Sequence, residues 1–196
     1  MEILLASASP RRRELITNIG IPYVSVSVDC DESVAEGIEP REAAITVAMR
    51  KAQAARSLPE SEGRIIVSVD TMVVCDGVIF GKPCDEDDAR RMLRLLSGKE
   101  HSVLTAVCII TPDGQSLSFC EGSQVRFYSL TEDEINNYVA TGEPMDKAGA
   151  YGIQGKGMML VREIEGDFYN IVGLPVARLG RTLKMVMSER GDSSGR

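Results

Sequence analysis

The chain has 196 residues, 43% of them hydrophobic, and its 22 basic and 29 acidic residues give a net charge of −7. This length and apolar content suffice for one domain with a full core or for two closely packed lobes. The negative charge argues against a long polyanion such as duplex DNA as a partner, but a small anion could bind where basic groups are concentrated.

The sequence carries no signal for membrane insertion or secretion. No apolar run reaches the about 18 residues that a membrane-spanning helix needs, and the N-terminal arginines follow the apolar residues, which is the reverse of a signal peptide. The five cysteines are odd in number and show no CxxC spacing, which argues against a disulfide framework or a structural zinc site. We therefore expect a cytoplasmic protein with reduced cysteines and no membrane partner.

The first predicted elements are a buried strand over 2–6 and a helix over 10–18 with Ser9 as its N-cap. Three arginines at 11–13 lie in the first turn, where the helix dipole favours negative charge. A bound anion would reverse that unfavourable term, because backbone N–H groups, the Ser7 and Ser9 hydroxyls and guanidinium groups would converge on it. The segment fits either a phosphate site or a solvated basic turn.

A second helix is predicted over 40–57, and Lys51 falls on its apolar stripe. The Lys51 ammonium therefore either extends along the apolar face to solvent or reaches a buried acidic partner or ligand. The next element, over 64–74, has the pattern of a buried strand with Asp70 inside it. A buried carboxylate needs a cation, a metal ion or several donors, so Asp70 is the best catalytic candidate. The alternative is an aspartate that ends the strand and caps a turn.

A hairpin after this strand predicts a neighbour for Asp70. The pair Asp76-Gly77 favours a tight turn, and the returning strand over 78–80 brings Lys82 towards the same end of the sheet. His101, the one histidine, has no second ligand at metal spacing, so we interpret it as structural.

The remaining pattern predicts a mixed α/β domain. We predict further helices over 85–96, 131–140 and 175–187 and further strands over 103–110, 123–128 and 158–164. Residues 1–187 are expected to form a single domain, and 188–196 a polar, disordered tail.

The segment 142–157, GEPMDKAGAYGIQGKG, is too rich in glycine to be a regular helix or strand. Its glycines allow sharp turns and a close approach of backbone to a ligand, and Asp146, Lys147, Gln154 and Lys156 supply hydrogen-bonding groups. It is predicted to be a ligand loop, with a flexible surface loop as the alternative.

Several motifs in one order carry a resemblance that covers nearly the whole chain. They are LLASASPRRRELI at 4–16, the acidic pair Asp31-Glu32, Arg50-Lys51-Ala52, VDTMV at 69–73, GKP at 81–83, MLRLLSGKEHSV at 92–103, GEPMDKAGAYGIQG at 142–155 and NIVGLP at 170–175. With these motifs the chain resembles the Maf family of nucleoside triphosphate pyrophosphatases. The resemblance implies an α/β fold, an elongated mixed-sheet domain with two lobes around a central cleft, similar to the inosine triphosphatase (Maf/Ham1) type.

The resemblance also implies a reaction and roles. A nucleoside triphosphate would be cleaved between the α and β phosphates with Mg²⁺ or Mn²⁺, and Asp70 would be the proton acceptor. Glu32, together with Asp31, would hold the metal ion. The residues implied in triphosphate binding are Ser7, Arg12, Arg13, Lys51 and Lys82, and those implied in specificity are Arg11, Thr71 and Gln154. A homodimer is also an expectation from the family.

Substrate choice is predicted from the glycine-rich segment. Its DKAGAYGIQ sequence resembles the branch that hydrolyses dTTP and UTP, and the neutral amide of Gln154 fits uracil or thymine. Modified pyrimidine nucleotides are further expected substrates. Two alternatives stay open: a pyrophosphatase for 7-methyl-GTP, and a nucleotide-binding regulator of septum formation linked to cell-division arrest.

Overall fold

The computed structural model describes residues 2–35 and 37–193. Over these residues the chain forms seven strands: β1 (Ile3–Ala6), β2 (Tyr23–Val26), β3 (Ile65–Cys75), β4 (Val78–Phe80), β5 (Glu100–Ile110), β6 (Ser116–Phe127) and β7 (Val161–Glu165). The helices of the same part of the chain are α1 (Pro10–Thr17), α2 (Pro40–Arg56), α3 (Glu86–Leu96), α4 (Glu132–Val139), α5 (Phe168–Val172) and α6 (Val176–Ser193).

The seven strands form one mixed sheet in the order β2-β1-β3-β5-β6-β7, with β4 added beside β3. The strand β1 is parallel to both β2 and β3, whereas β4, β5, β6 and β7 join their neighbours in antiparallel fashion. This mixed sheet with helices packed against it confirms the predicted α/β class.

One edge of β3 is open in its middle, and this opening positions the site. On that edge β1 pairs with residues 65–68 and β4 pairs with 73–75, so no strand of the described residues lies there beside 69–72. On the other edge β5 pairs with 66–74 without a break. The sheet therefore forks around the middle of β3, with β1 and β2 on one side of the gap and β4 on the other.

Three apolar clusters fix the helices around this fork. The alanine-rich face of α2, with Ala44 and Ala48, packs on one face of the sheet against Leu4 and Ile66. The helices α1 and α6 cover the opposite face beside β1, and α3 and α4 pack around the far half of β3. Small side chains on α2 let the helix lie close to the sheet, which brings Lys51 within reach of β3.

The predicted helices and the turn at Asp76-Gly77 are confirmed, with small shifts at their ends. Both turn residues have positive φ, at 50° and 77°, as a tight hairpin requires. The strand predicted over 158–164 begins only at Val161, because Gly155–Leu160 form a 3-10 turn, and β6 begins seven residues before the predicted strand over 123–128. The strand β2, of four residues, and the helix α5, of five, were not predicted.

The C-terminal helix α6 is longer than predicted. It continues to Ser193, so residues 188–193 of the expected tail are helical, while 194–196 lie outside the described residues. The domain boundary at 187 stays a prediction. No helix in the described part of the chain combines the length and the apolar character that crossing a bilayer would require.

Candidate active site

A cleft of about 740 Å³ opens at the fork in the sheet. Its walls come from the loop between β1 and α1, the middle of β3, the end of β4, the glycine-rich segment and the end of α5. Nine of the predicted site residues line it: Ser7, Arg11, Arg12, Glu32, Lys51, Asp70, Thr71, Lys82 and Gln154. Arg13 and Asp31 do not line it.

The centre of the cleft holds an ion pair between Lys51 and Asp70. The Lys51 Nζ lies 2.7 Å from Asp70 Oδ1, and their side chains are only 13% and 10% exposed. The same ammonium lies 2.9 Å from Glu32 Oε1. Lys51 therefore reaches a buried acidic partner instead of extending to solvent, and its charge offsets the cost of burying Asp70.

The adjacent acidic residue Asp31 has other partners. Its carboxylate accepts a hydrogen bond from the Ser33 N–H at 2.8 Å and lies 3.8 Å from Arg50 NH1. Hydrogen bonds from Ser33 and the charge of Arg50 lower the pKa of Asp31 below its usual range. The loop between β2 and α2 thus turns one acidic side chain into the cleft and the other out of it.

The donor set around Lys51 suits a hard divalent cation. Glu32 and Asp70 place carboxylate oxygens 2.9 and 2.7 Å from the same Lys51 Nζ, so the two carboxylates lie close enough to share a cation. Mg²⁺ commonly takes one or two carboxylates, with phosphate oxygens and water completing its shell. In the described residues no group of three or more histidine, cysteine or acidic side chains could form a site built from protein alone. The residues therefore fit a cation that is shared with a phosphate ligand.

Arg12 joins three walls of the cleft. Its Nε donates to the Gly173 carbonyl at 2.9 Å, and its two terminal nitrogens donate to Ser7 Oγ at 3.3 Å and to Thr71 Oγ1 at 2.9 Å. Burial lowers the pKa of Arg12 to about 10, with the charge of Asp70 opposing the shift, so the guanidinium stays protonated at neutral pH. Arg13, by contrast, is exposed and donates to the Ala8 carbonyl at 3.4 Å.

Charged side chains also stand at the mouth of the cleft. Arg11 Nη1 lies 3.8 Å from Asp146 Oδ2, so the start of α1 and the glycine-rich segment meet across the opening. Lys147 donates to Asp146 Oδ1 and to the Glu143 carbonyl, both at 2.6 Å. Lys82 follows β4, as predicted, and is exposed at the cleft.

The Tyr138 and Glu143 side chains hold the glycine-rich segment through hydrogen bonds to its middle and its end. The Tyr138 hydroxyl accepts from the Gly152 N–H at 3.1 Å and donates to Glu143 Oε1 at 2.9 Å. Glu143 also accepts from the N–H groups of Lys156 and Gly157, at 2.9 and 3.1 Å. Burial raises the pKa of Glu143, but these hydrogen bonds outweigh it, and the pKa lies below the usual range.

Close contacts fix the shape of this loop. A Cβ on Gly157 would lie 2.2 Å from the Gly152 carbonyl oxygen, which no side chain tolerates, and Gly155 has a φ of +70°. Gln154 lies between Gly152 and Gly155 in the sequence and lines the cleft. The ligand loop is therefore preorganised. Glu143 was missed in the sequence, because its partners lie five to fourteen residues along the chain and no local pattern marks them.

His101 supports the cleft from behind. Its Nε2 lies 2.9 Å from the Tyr151 hydroxyl, and its ring packs edge-on against Phe127 and Tyr151. Burial lowers the pKa of His101 to about 4, with Glu100 opposing the shift, so the ring is neutral at neutral pH. This buried position agrees with a structural interpretation, although Tyr151 itself lines the cleft.

Comparison with known proteins adds independent findings. A family model described as "Maf-like protein" matches residues 2–186. The dTTP/UTP pyrophosphatase of Bacillus velezensis is 48% identical over 182 residues, which cover 93% of this chain and 95% of the relative. The dTTP/UTP pyrophosphatase of a Geobacillus species is 48% identical over 184 residues, with 93% and 97% covered. A solved structure of a HAM1 protein from Coxiella burnetii covers 94% of this chain and 99% of its own, with a TM-score of 0.53 at 14% identity. That likeness confirms the Ham1-type fold.

Proposed function

This chain belongs to the family of Maf-like proteins, and on that basis we propose that it is a pyrophosphatase that hydrolyses dTTP and UTP to the monophosphate and pyrophosphate. Relatives named dTTP/UTP pyrophosphatase, 48% identical over nearly the whole chain, support the reaction and the substrates. The observation that carries the chemistry is the Lys51 ammonium, which joins the carboxylates of Asp70 and Glu32 inside the cleft. Modified pyrimidine nucleotides are proposed as further substrates.

Asp70 is the proposed proton acceptor. It is buried beside the Lys51 ammonium and stands at the open edge of β3. There it could take a proton from a water molecule that lies between it and a phosphate. Lys51 offsets the charge of Asp70 and of the phosphates. Ser7, Arg12 and Lys82, which line the same cleft, are proposed to bind the triphosphate. Arg13 is exposed outside the cleft, so a direct contact with substrate would require its side chain to move.

A divalent cation, Mg²⁺ or Mn²⁺, is the proposed cofactor, and Glu32 and Asp70 are the residues that would hold it. When bound, it would neutralise charge on the triphosphate and on the leaving pyrophosphate. The position of Asp31 beside Arg50 makes it the weaker candidate of the acidic pair. The homodimer and the cytoplasmic location stay predictions.

The test is pyrophosphate release by the purified protein with Mg²⁺ or Mn²⁺ on dTTP, UTP, CTP, dATP, GTP and 7-methyl-GTP. We expect release from dTTP and UTP, and we expect Gln154→Glu to reduce it, because a carboxylate repels the carbonyl oxygens of these bases. Release from 7-methyl-GTP instead would keep the chemistry and contradict the base assignment. No release from any nucleotide would favour the regulatory alternative.

A further inference from the structure

A chain of hydrogen bonds runs from the cleft into the protein through two threonines. Thr71 Oγ1 lies 2.9 Å from Thr105 Oγ1, and Thr105 Oγ1 lies 2.9 Å from the backbone carbonyl oxygen of Asn170. Thr105 and Asn170 are fully buried. Asn170 is itself fixed, because its side-chain nitrogen Nδ2 donates to the Val103 carbonyl and to Ser123 Oγ, each at 3.0 Å. These hydrogen-bonded residues are therefore a rigid part of the structure.

The partners at its two ends determine its direction. A carbonyl oxygen only accepts, so the single Thr105 proton is committed to Asn170. Thr71 must then be the donor in its hydrogen bond with Thr105. At the other end Arg12, which can only donate, contributes a proton to Thr71 Oγ1 at 2.9 Å. The Thr71 oxygen thus has its own proton turned inward, and it can offer a ligand only a lone pair.

The Ser7 hydroxyl has the opposite hydrogen-bonding role. Its oxygen accepts from Arg12 Nη1 and from the Ser9 N–H, both at 3.3 Å, and no hydrogen bond within residues 2–35 and 37–193 uses its proton. Ser7 can therefore donate to a ligand, which suits a phosphate oxygen. Arg12 contacts both hydroxyls, so one guanidinium separates a donor end of the cleft from an acceptor end.

The two faces of β3 assign these ends to parts of a nucleotide. Asp70 and Thr71 are successive strand residues and point to opposite faces. Lys51 and Glu32 meet Asp70 on its face, so the bond to be cleaved belongs there. On the face of Thr71 the cleft is lined by Val73, Val103 and Ile171, which suit an uncharged base.

We infer that Thr105 is a positioning residue for base selection: by taking the Thr71 proton, it fixes Thr71 as an acceptor for the N3–H group of uracil or thymine. This inference rests on the proposed function. Uracil and thymine carry a proton on N3, whereas cytosine has a lone pair there, which would face the Thr71 lone pair in the same pose. Mispaired buried polar groups discriminate strongly between otherwise similar ligands.

The test compares Thr105→Val with Thr105→Ser, using UTP and CTP. Valine keeps the shape of threonine but cannot accept the Thr71 proton, so Thr71 becomes free to donate to cytosine N3. We expect the ratio of kcat/KM for UTP to that for CTP to fall about tenfold or more in Thr105→Val and to stay within about threefold in Thr105→Ser. A merely structural role would lower both rates together, and an unchanged ratio in Thr105→Val would overturn the inference.

A second measurement does not depend on a variant that folds. The unmodified protein should use N3-methyl-UTP at least about tenfold less well than UTP, because the donor on N3 is lost. Equal use of the two would overturn the inference while leaving pyrophosphatase activity in place. If the protein releases no pyrophosphate from UTP itself, the proposed function is contradicted. Failure of the proposed function is thereby distinguished from failure of the Thr105 inference.

Discussion

Lys51 and Asp70 approach to 2.7 Å although one lies on α2 and the other on β3. The contact depends on the alanines of α2, which bring the helix onto the sheet, and on the open edge of β3, which leaves Asp70 accessible from the cleft. A charged pair in this setting is costly unless the structure holds both partners in place. Here the core around α2 does so.

Replacing Asp70 by asparagine tests the proton acceptor. The amide can still accept a hydrogen bond from Lys51 but cannot take a proton from water, so kcat for UTP should fall about 10²- to 10⁴-fold. The melting temperature should change little, because Lys51 still pairs with Glu32. The matched control is Asp31→Asn, which removes a carboxylate outside the cleft and should alter kcat by no more than a few-fold. Comparable losses in the two variants would contradict these assignments.

Replacing Arg12 by lysine tests the guanidinium that joins three walls of the cleft. An ammonium cannot reach Gly173, Ser7 and Thr71 together, so we expect the free energy of unfolding to fall by about 1–3 kcal/mol and kcat/KM to fall at least about tenfold. Arg13→Lys is the control, since surface substitutions usually change stability by less than about 0.5 kcal/mol. Urea unfolding measures the free energy of unfolding, and UTP hydrolysis measures kcat/KM. Equal losses in Arg12→Lys and Arg13→Lys would contradict the role assigned to Arg12.

Glu143→Gln tests the support of the ligand loop. Both carboxylate oxygens accept from backbone N–H groups, so an amide must turn its NH₂ towards one of these donors. We expect KM for UTP to rise about tenfold with a smaller change in kcat, because the loop that presents Gln154 is no longer preorganised. Glu163→Gln, an exposed change on β7, is the control. A KM that stays at the wild-type value would show that the loop keeps its shape without Glu143.

The buried His101 predicts a pH dependence of stability. Its pKa is about 4 in the folded chain, against an ordinary value of 6.5, so the unfolded chain binds the proton first as pH falls. The free energy of unfolding should therefore decrease between pH 6.5 and 4, by on the order of 3 kcal/mol from this residue. His101→Gln lacks this titration and should lose less stability over the same range. Urea unfolding at several pH values measures the difference, and parallel curves for the two proteins would contradict it.

Much of the site could be predicted from the sequence because its signals are local. A carboxylate inside an apolar strand, a lysine on an apolar helix stripe and an Asp-Gly turn before Lys82 each carry their physical reason within a few residues. The alternatives for Lys51 could not be decided in this way, since its partners belong to other elements.

Features that depend on long-range contacts were not visible. Glu143 and Tyr138 hold the loop through side chains that no periodicity marks, and Thr105 is hidden within an apolar strand pattern. Which of Asp31 and Glu32 points into the cleft depends on the course of an irregular loop. The short elements β2 and α5 went unpredicted, whereas the equally short β1 and β4 were predicted from an apolar run and from the neighbouring Asp-Gly turn.

The position of Asp70 and Thr71 as neighbours on β3 makes this strand intolerant of changes in length. The strand is paired with β5 residue by residue from 66 to 74, so a segment on it cannot slip alone. Deleting or inserting one residue before Asp70 would turn the carboxylate and the Thr71 hydroxyl each to the opposite face of the sheet. On the proposed roles, a substitution at one of the two positions can change rate or selectivity alone, whereas an insertion or deletion in this strand would misplace both groups together.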